Sequence, residues 1–268
     1  MRVSFIKMHG LGNDFVMLDA RTETLPPVTG AFARAIADRK TGIGCDQLIL
    51  LEPSGKADLK MRIFNADGGE VESCGNATRA IGLLLGKLAR IETSGGMLEV
   101  TPDGSDISVT FEPPKLDWEA IPLAYALDTL AMPVGWNELE NPAAVNVGNP
   151  HAVFFVEDLN AVDLENLGPR IEHDPIFPER VNVNVATIGD DGIDLRVWER
   201  GVGETRACGT GACATAIAAI RRGLAQSPVE VRLKGGTLTI GWDGAGSFTM
   251  TGSAKESFRG TFEWDDFA

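Results

Sequence analysis

The sequence predicts an α+β protein of two pseudo-symmetric domains, each a mostly antiparallel sheet wrapped around a central helix. Two observations predict this fold. Part of the chain repeats itself at a fixed distance, and short β-rich segments alternate with turn residues along the whole length. The chain has 268 residues, including 31 glycines. This length suits one large domain or two of middle size, because single cores stop growing at roughly 250 to 300 residues.

The repeat is centred on two cysteines, Cys74 and Cys208, which lie 134 residues apart. At this offset, six of the twenty residues from Arg62 to Ile81 are identical to their counterparts. A slightly larger offset aligns Gly12-Asn13 with Gly148-Asn149, and each pair precedes an apolar run. Because 134 is half of the chain length, the simplest explanation is two similarly folded halves in tandem.

The surroundings of each cysteine have the same local pattern. Alternating strands, LKMRIF from Leu59 and IDLRVW from Ile193, run into glycine-rich loops and then into helix-forming segments. Each cysteine is therefore expected at the start of a helix, next to residues that favour such starts. The pairs Asp103-Gly104 and Gly235-Gly236 separate alternating segments and predict two β-hairpins.

A proline-punctuated stretch from Glu112 to Pro122 is the expected domain boundary. We predict an N-terminal half over 1–117 that carries Cys74 and a C-terminal half over 118–256 that carries Cys208. The last segment, 257–268, begins like a strand and is expected to return to the first half.

Composition excludes several classes of function. The 24 basic and 38 acidic residues give a net charge of −14, which disfavours nucleic acid as a partner. Apolar stretches fall well short of the roughly 20 residues that cross a bilayer, and no signal peptide is evident, so we expect no membrane partner and a cytoplasmic location.

Four cysteines and three histidines show no zinc-ligand spacing or HExxH motif, so we expect free thiols and no metal. The glycine-rich loops lack the dinucleotide and P-loop patterns. A small-molecule substrate is the expected partner.

Two thiols at helix starts suit one kind of chemistry. Helix N-termini lower the pKa of a cysteine from about 8.5 and bind carboxylates through free backbone N–H groups. One thiolate can then remove a proton from one face of a carbon while the other thiol protonates the opposite face, which inverts a stereocentre. No cofactor is expected. Three alternatives remain: buried cysteines that only pack, a thiol redox protein in which Cys74 and Cys208 form a disulfide, and a binding module without catalysis.

Polar residues in the same loops are candidates for substrate binding. Asn65 and Asn182 lie in or at the end of strand-like runs, where asparagine is disfavoured. Glu199-Arg200 directly follows an apolar strand and presents opposite charges to a zwitterionic ligand. The other candidates in these loops are Asn13, Gln47, Asn149 and His151.

The chain resembles the diaminopimelate epimerases, isomerases that interconvert LL- and meso-diaminopimelate in lysine and peptidoglycan synthesis without pyridoxal phosphate. The motifs that carry this resemblance are KMHGLGNDF from Lys7, GIGCDQL from Gly42, RIFNADGGEVESCGNATR from Arg62, GNPHAV from Gly148, FPERVNV from Phe177, WERGVGETRACGTGACA from Trp198 and MTG from Met250. Proline racemase-like enzymes share the two cysteines but not this asparagine set. A racemase or epimerase of another amino acid, such as proline or hydroxyproline, is therefore the alternative within the same class.

The resemblance implies the diaminopimelate epimerase-like fold, with two domains that share one active site. It implies that Cys74 and Cys208 are the acid–base pair. The α-carboxylate would be held at Gly75-Asn76 and Gly209-Thr210, and His151 and Glu199 would tune the pKa values of the thiols. The rest of the substrate would be bound by Asn13, Gln47, Asn65, Asn149, Asn182, Glu199 and Arg200.

The chain departs from the family pattern at three positions. Ala77 stands where relatives often have glycine, and Val147 replaces a frequent methionine. Phe258 occupies a place where relatives can carry a tyrosine linked to dimer formation. A homodimer is still expected.

Overall fold

The structure, a computed structural model, describes residues 1–72 and 74–268, which divide into two compact units. The first unit comprises Met1–Val109 together with Gly252–Ala268, and the second comprises Thr110–Thr251. The domain limits predicted from the sequence lie a few residues further along the chain. The last segment belongs to the first unit because the final strand pairs with the first strand of the chain.

Over residues 1–72 and 74–111, the structure describes eight strands and two helices before the chain passes to the second unit. They are β1 (Arg2–Gly10), β2 (Asn13–Asp19), α1 (Gly30–Ala37), β3 (Gln47–Glu52), β4 (Leu59–Asn65), β5 (Glu70–Val71), α2 (Gly75–Leu85), β6 (Ala89–Thr93), β7 (Gly96–Asp103) and β8 (Asp106–Phe111), the last of which reaches the junction.

The second unit follows with ten strands and two helices. They are β9 (Gly135–Trp136), β10 (Leu139–Glu140), β11 (Ala143–Asn146), β12 (Pro150–Phe155), α3 (Leu164–Glu172), β13 (Asn182–Gly189), β14 (Gly192–Glu199), β15 (Gly203–Thr205), α4 (Gly209–Arg221), β16 (Val229–Leu233), β17 (Gly236–Gly241) and β18 (Phe248–Gly252). The chain ends with β19 (Lys255–Glu263), which pairs antiparallel with β1.

Strand pairing follows the same order in both units. In the first, β2 pairs parallel with β3, β3 antiparallel with β4, β4 parallel with β6, and β6 antiparallel with β7. In the second, β12, β13, β14, β16 and β17 repeat this series of parallel and antiparallel pairs. The repeat in the sequence is therefore a repeat of topology, and the predicted fold class is confirmed.

Each unit has one helix at the centre of its core. In α2 every residue from Gly75 to Gly82 is buried, and in α4 the residues from Gly211 to Ala219 are buried. Helices that are buried on all sides suit small residues, and α4 is built almost entirely of Ala, Gly and Thr at these positions. Both helices begin directly after a cysteine, as predicted.

Turn residues explain where the elements end. Gly86 closes α2 in the left-handed region, with φ of 61°, which glycine adopts without strain. The two predicted hairpins are present, between β7 and β8 and between β16 and β17. In the first of these, Gly104 has φ of 60°.

Candidate active site

The first predicted catalytic residue, Cys74, is the N-cap of α2. Its backbone is extended, with φ of −148°, and its side chain is half-buried. The Cys74 sulfur lies 3.7 Å from the Asn13 side-chain oxygen, which also accepts a 3.2 Å hydrogen bond from the Asn76 amide. The fold therefore brings together three residues that the sequence predicted for the site, two of them from a helix start and one from the start of β2.

The orientation of the Asn13 amide is set by the Asp46 carboxylate. Its nitrogen donates to Asp46 Oδ2 at 3.0 Å, so its oxygen faces the Cys74 thiol. Asp14 accepts from Arg39 and Lys7 and ties the same loops together. Partial burial raises the pKa of Asp14, but the hydrogen bonds from Arg39 and Lys7 outweigh it and bring the value to about 2.

Gln47 and Asn65 form a second polar pair in the first unit. They are directly opposite in the ladder of β3 and β4, and Gln47 Nε2 donates to Asn65 Oδ1 at 2.9 Å. Gln47 Oε1 is buried, and no partner for it is found among the described residues. Because a buried oxygen without a donor is costly, this atom is a candidate acceptor for a ligand N–H group.

The second predicted catalytic residue, Cys208, is the N-cap of α4 and is 4% exposed. Its sulfur accepts a hydrogen bond from Gly211 N at 3.4 Å and lies 3.5 Å from Thr210 Oγ1. The Glu199 carboxylate interacts with the same thiol. The structure thus gathers three predicted residues, Cys208, Thr210 and Glu199, at one helix start.

The pKa of the Cys208 thiol is raised, whereas the helix start led us to expect a lowered value. Burial has the largest effect, because the thiolate loses its hydration, and the charge of Glu199 raises the pKa further. Hydrogen bonds from Thr210 and Gly211 act in the opposite direction but are weaker. The expectation of a lowered thiol pKa is therefore wrong for Cys208, and this thiol is protonated at neutral pH.

Replacing Glu199 by glutamine is expected to lower the Cys208 pKa and to accelerate its alkylation about tenfold at a fixed pH. The reason is that the thiolate is the reactive form and one pKa unit changes its population tenfold. The rate of iodoacetamide labelling of Cys208, followed by mass spectrometry, measures this. Glu204→Gln is the matched control, since Glu204 pairs with Arg196 instead. Equal labelling rates in Glu199→Gln and the wild type would contradict the role given to Glu199.

Asn182 and Arg200 are connected in the second unit. Asn182 is 3% exposed; its amide nitrogen donates to Pro150 O at 2.8 Å, and its oxygen accepts from Arg200 N at 2.9 Å. Arg200 also donates through its guanidinium to Glu179 O at 2.9 Å. Both ends of the Asn182 side chain are thus engaged with the protein, and these contacts position Arg200.

His151 is fully buried between two asparagines. Its Nδ1 lies 3.2 Å from Asn184 Oδ1, and its Nε2 lies 3.0 Å from the Asn149 side chain. The Asn184 nitrogen donates to Gly211 O and Thr215 Oγ1, both at 3.0 Å, so its oxygen must face the ring and His151 carries its proton on Nδ1. His151 Nε2 then carries no proton and faces Asn149 Oδ1, so a hydrogen bond between them requires the Asn149 amide to turn its nitrogen towards the ring.

The pKa of His151 is lowered to about 4, because burial disfavours the imidazolium and Arg200 adds repulsion. His151 is therefore neutral at physiological pH. The family resemblance implies that His151 tunes a thiol pKa. The described contacts of Cys208 are with Glu199, Thr210 and Gly211, so that role of His151 stays a prediction.

The buried neutral His151 makes stability depend on pH. Between pH 6.5 and about 4 the unfolded chain binds the proton and the folded chain does not, so the free energy of unfolding falls as pH drops, by up to about 3 kcal/mol. Below pH 4 a further loss follows as Asp14 becomes protonated. Urea unfolding at several pH values measures this. In His151→Gln, the free energy of unfolding should change little between pH 6.5 and about 4. In His173→Gln, at an exposed position, it should fall over this range as in the wild type.

The fold also reveals functional candidates that the sequence did not single out. Asn184 is fully buried and joins His151 to α4, and Asp46 orients Asn13. A signal existed for Asn184, because it lies two residues after Asn182 in a β-branched run and therefore on the same strand face. No comparable signal marked Asp46, whose role depends on the pairing of distant loops.

One further finding concerns membranes. Over residues 1–72 and 74–268, no helix is long and apolar enough to cross a bilayer.

Sequence comparisons match the chain over nearly its whole length. A sequence model of the family described as diaminopimelate epimerase matches residues 5–116 and 143–256. The diaminopimelate epimerase of Erythrobacter litoralis is 68% identical over 269 residues, which cover 100% of both chains. That of Sphingopyxis alaskensis is 62% identical, with 98% of each chain covered.

Solved structures of low sequence identity share the fold. A phenazine biosynthesis protein of the PhzF family from Enterococcus faecalis has a TM-score of 0.70 at 17% identity, covering 98% of this chain and 100% of that one. A hydroxyproline epimerase from Agrobacterium vitis with bound trans-4-OH-L-proline has a TM-score of 0.67 at 17% identity, covering 97% and 92%. These similarities concern the fold alone.

Proposed function

Because the chain belongs to the diaminopimelate epimerase family, we propose that it interconverts LL- and meso-diaminopimelate with Cys74 and Cys208 as its two acid–base groups. The observation that carries this proposal is that both cysteines are N-caps of the central helices in two units of the same topology. Equivalent groups in duplicated units suit a reaction whose forward and reverse steps are mirror images. The enzyme is an isomerase and uses no cofactor in this mechanism.

In the proposed reaction, one cysteine thiolate removes the α-proton from one face of the carbon. The other cysteine donates its thiol proton to the opposite face, so the carbon is inverted and the two sulfurs exchange protonation states. The two cysteines reverse roles in the opposite direction. Removal of so weakly acidic a proton requires stabilisation of the negative charge that develops on the α-carboxylate.

The helix starts supply this stabilisation. The first backbone N–H groups of a helix have no partner within it and carry partial positive charge. In the proposal, Gly75-Asn76 and Gly209-Thr210 hold the α-carboxylate through these groups. Their interaction strengthens as charge accumulates in the transition state, which is the condition for a rate enhancement.

The raised pKa of Cys208 supports its proposed role. A thiol with a high pKa is protonated at rest and is ready to act as the acid in one direction. In the other direction it is a strong base once deprotonated. The hydrogen bonds from Gly211 and Thr210 then stabilise the thiolate.

One oxygen acceptor and one cation are available for the remaining groups of the substrate. The buried Gln47 Oε1 can accept from an ammonium group, and we propose that the Asn149 side chain also contacts the substrate. Arg200, positioned by Asn182, can pair with a carboxylate. We also propose substrate contacts for Asn13, Asn65, Asn182 and Glu199.

A substrate panel tests this proposal. The reduced protein should epimerise LL-diaminopimelate and should leave L-proline and trans-4-hydroxy-L-proline unchanged at the same concentration. Chiral chromatography of the products measures both reactions. Turnover of the cyclic amino acids but not of diaminopimelate would overturn the substrate assignment and favour the alternative racemase.

Assembly and location are part of the proposal. We propose a homodimer in the cytoplasm, and Phe258, which is 51% exposed on β19, offers an apolar contact for a second copy. Analytical ultracentrifugation should give twice the mass of 28.6 kDa. A single species at the monomer mass at micromolar concentration would contradict the dimer.

A further inference from the structure

A buried carboxylate of the second unit has no part in the proposed chemistry. Glu172, the last residue of α3, is 2% exposed. Its Oε2 accepts from Trp198 Nε1 at 2.8 Å, and its Oε1 accepts from Gly201 N at 2.9 Å. Carboxylates are rarely buried unless they serve such hydrogen bonds, because their removal from water is costly.

The two donors to Glu172 flank the charge pair of the candidate site. Trp198 directly precedes Glu199 and Arg200, and Gly201 directly follows them. One carboxylate therefore holds both ends of this four-residue segment. The end of this segment enters the turn over Glu199–Val202 between β14 and β15, in which Val202 N donates to Glu199 O at 3.0 Å.

The Trp198 ring is also held by packing against α3. A Cβ atom added to Gly168 would lie 2.4 Å from the Trp198 ring, so only glycine permits this close approach. Two contacts therefore fix the position of Trp198. Its ring packs against Gly168, and its indole N–H donates to Glu172.

Two residues near the start of β13, Arg180 and Asn182, also contact Glu172 and residues 198–201. Arg180 Nη1 lies 3.7 Å from Glu172 Oε1, and the backbone of Arg180 adopts φ of 63°, in the left-handed region. This conformation is uncommon for a residue with a side chain. Together with Asn182, which accepts from Arg200 N, these residues surround residues 198–201 with hydrogen bonds and charge.

The first unit offers an internal comparison. At the offset of 134, Trp198 corresponds to Phe64, which has no N–H to donate, and the residues after Phe64 are Asn65 and Ala66. The indole and its buried carboxylate thus occur in the unit that carries the charge pair. This coincidence indicates that they serve the charge pair rather than the fold that both units share.

We propose that Glu172 is a positioning residue that fixes residues 198–201, and with them the turn between β14 and β15. It thereby places Glu199 beside the Cys208 thiol and Arg200 towards the substrate. This inference rests on the proposed function, since it assigns a task to the same site. Glu172 acts through Trp198 and Gly201 and does not touch the substrate.

Two variants test the proposal. In Glu172→Gln, one of the two acceptor oxygens becomes an NH₂ group, which faces one of the two N–H donors and cannot accept from it. Trp198→Phe removes the indole N–H donor and introduces phenylalanine, which is the residue at the equivalent position of the first unit, Phe64. Matched controls are Trp136→Phe and Asp174→Asn, because Trp136 Nε1 donates to Asp174 Oδ2 at 2.9 Å in the same unit but not beside the charge pair.

Two readouts require no turnover. Hydrogen exchange of the Gly201 amide should become at least tenfold faster in Glu172→Gln, because its acceptor is weakened or lost. Cys208 should be alkylated several-fold faster in both variants, since Glu199 is no longer held beside it, while Cys74 in the same molecules serves as reference. The control variants should match the wild type in both measurements.

Steady-state kinetics with diaminopimelate completes the test. We expect KM to rise about tenfold in Glu172→Gln and in Trp198→Phe, and to change less than twofold in the controls. Unchanged Gly201 exchange, unchanged Cys208 labelling and unchanged KM in both variants would overturn the inference. If the wild type does not turn over diaminopimelate, the proposed function fails, while exchange and labelling still decide whether Glu172 fixes the turn.

Discussion

Replacement of either Cys74 or Cys208 by alanine is expected to lower kcat for diaminopimelate by about a thousandfold. Each thiol performs one of the two proton transfers in each direction, and a positioned acid or base contributes roughly 10² to 10⁴-fold. Loss of one thiol therefore blocks inversion in both directions. Kinetic assays from LL- and from meso-diaminopimelate measure this, with circular dichroism to verify the fold.

The two other cysteines provide matched controls. Cys45 and Cys213 are each 1% exposed, and burial raises the pKa of Cys45 to about 11. Cys45→Ala and Cys213→Ala should retain kcat within a few-fold. Wild-type kcat in Cys74→Ala or Cys208→Ala, or an equal loss in the control variants, would contradict the acid–base assignment.

Replacement of Asn184 by leucine is expected to lower the free energy of unfolding by about 3 kcal/mol. Asn184 is fully buried and bonds to His151, Gly211 O and Thr215 Oγ1. Leucine of similar size would leave these groups without their partner, and each buried polar group left unpaired costs roughly 1 to 3 kcal/mol. Urea unfolding at pH 7.5 measures the change.

A smaller change in the same hydrogen-bond network should cost less stability than Asn184→Leu. Thr215→Val removes only the hydroxyl that Asn184 contacts and should cost about 1 kcal/mol. A loss below 1 kcal/mol in Asn184→Leu would show that the His151 network does not stabilise the second unit. Because the network also places the start of α4 through Gly211, we expect lower activity in the folded fraction of this variant.

Much of the fold could be predicted because its signals are local. The alternating runs before each cysteine predict strands, and the glycine-rich loops followed by small apolar residues predict helices that start at Cys74 and Cys208. The repeat at 134 residues adds a non-local signal, since it predicts that the same order of pairing occurs twice. The matching ladders of the two units have this origin.

Other features depend on tertiary contacts that no local pattern encodes. The pKa of Cys208 follows from its burial and from Glu199, nine residues earlier, and both outweigh the helix start. Glu172 reads in the sequence as an ordinary charged residue at a helix end. Its role is visible only once α3 lies against Trp198.

The most direct test of two-base epimerisation follows deuterium during the first turnovers. LL-diaminopimelate is incubated with the reduced protein in deuterium oxide, and both isomers are separated at about 5% conversion and examined by proton NMR and mass spectrometry. We predict that the meso product carries one deuterium at the inverted α-carbon, because the second thiol exchanges with solvent. The remaining LL substrate should carry none. Deuterium in the unreacted substrate at a comparable level, or meso product that retains the original proton, would contradict transfer by two separate thiols.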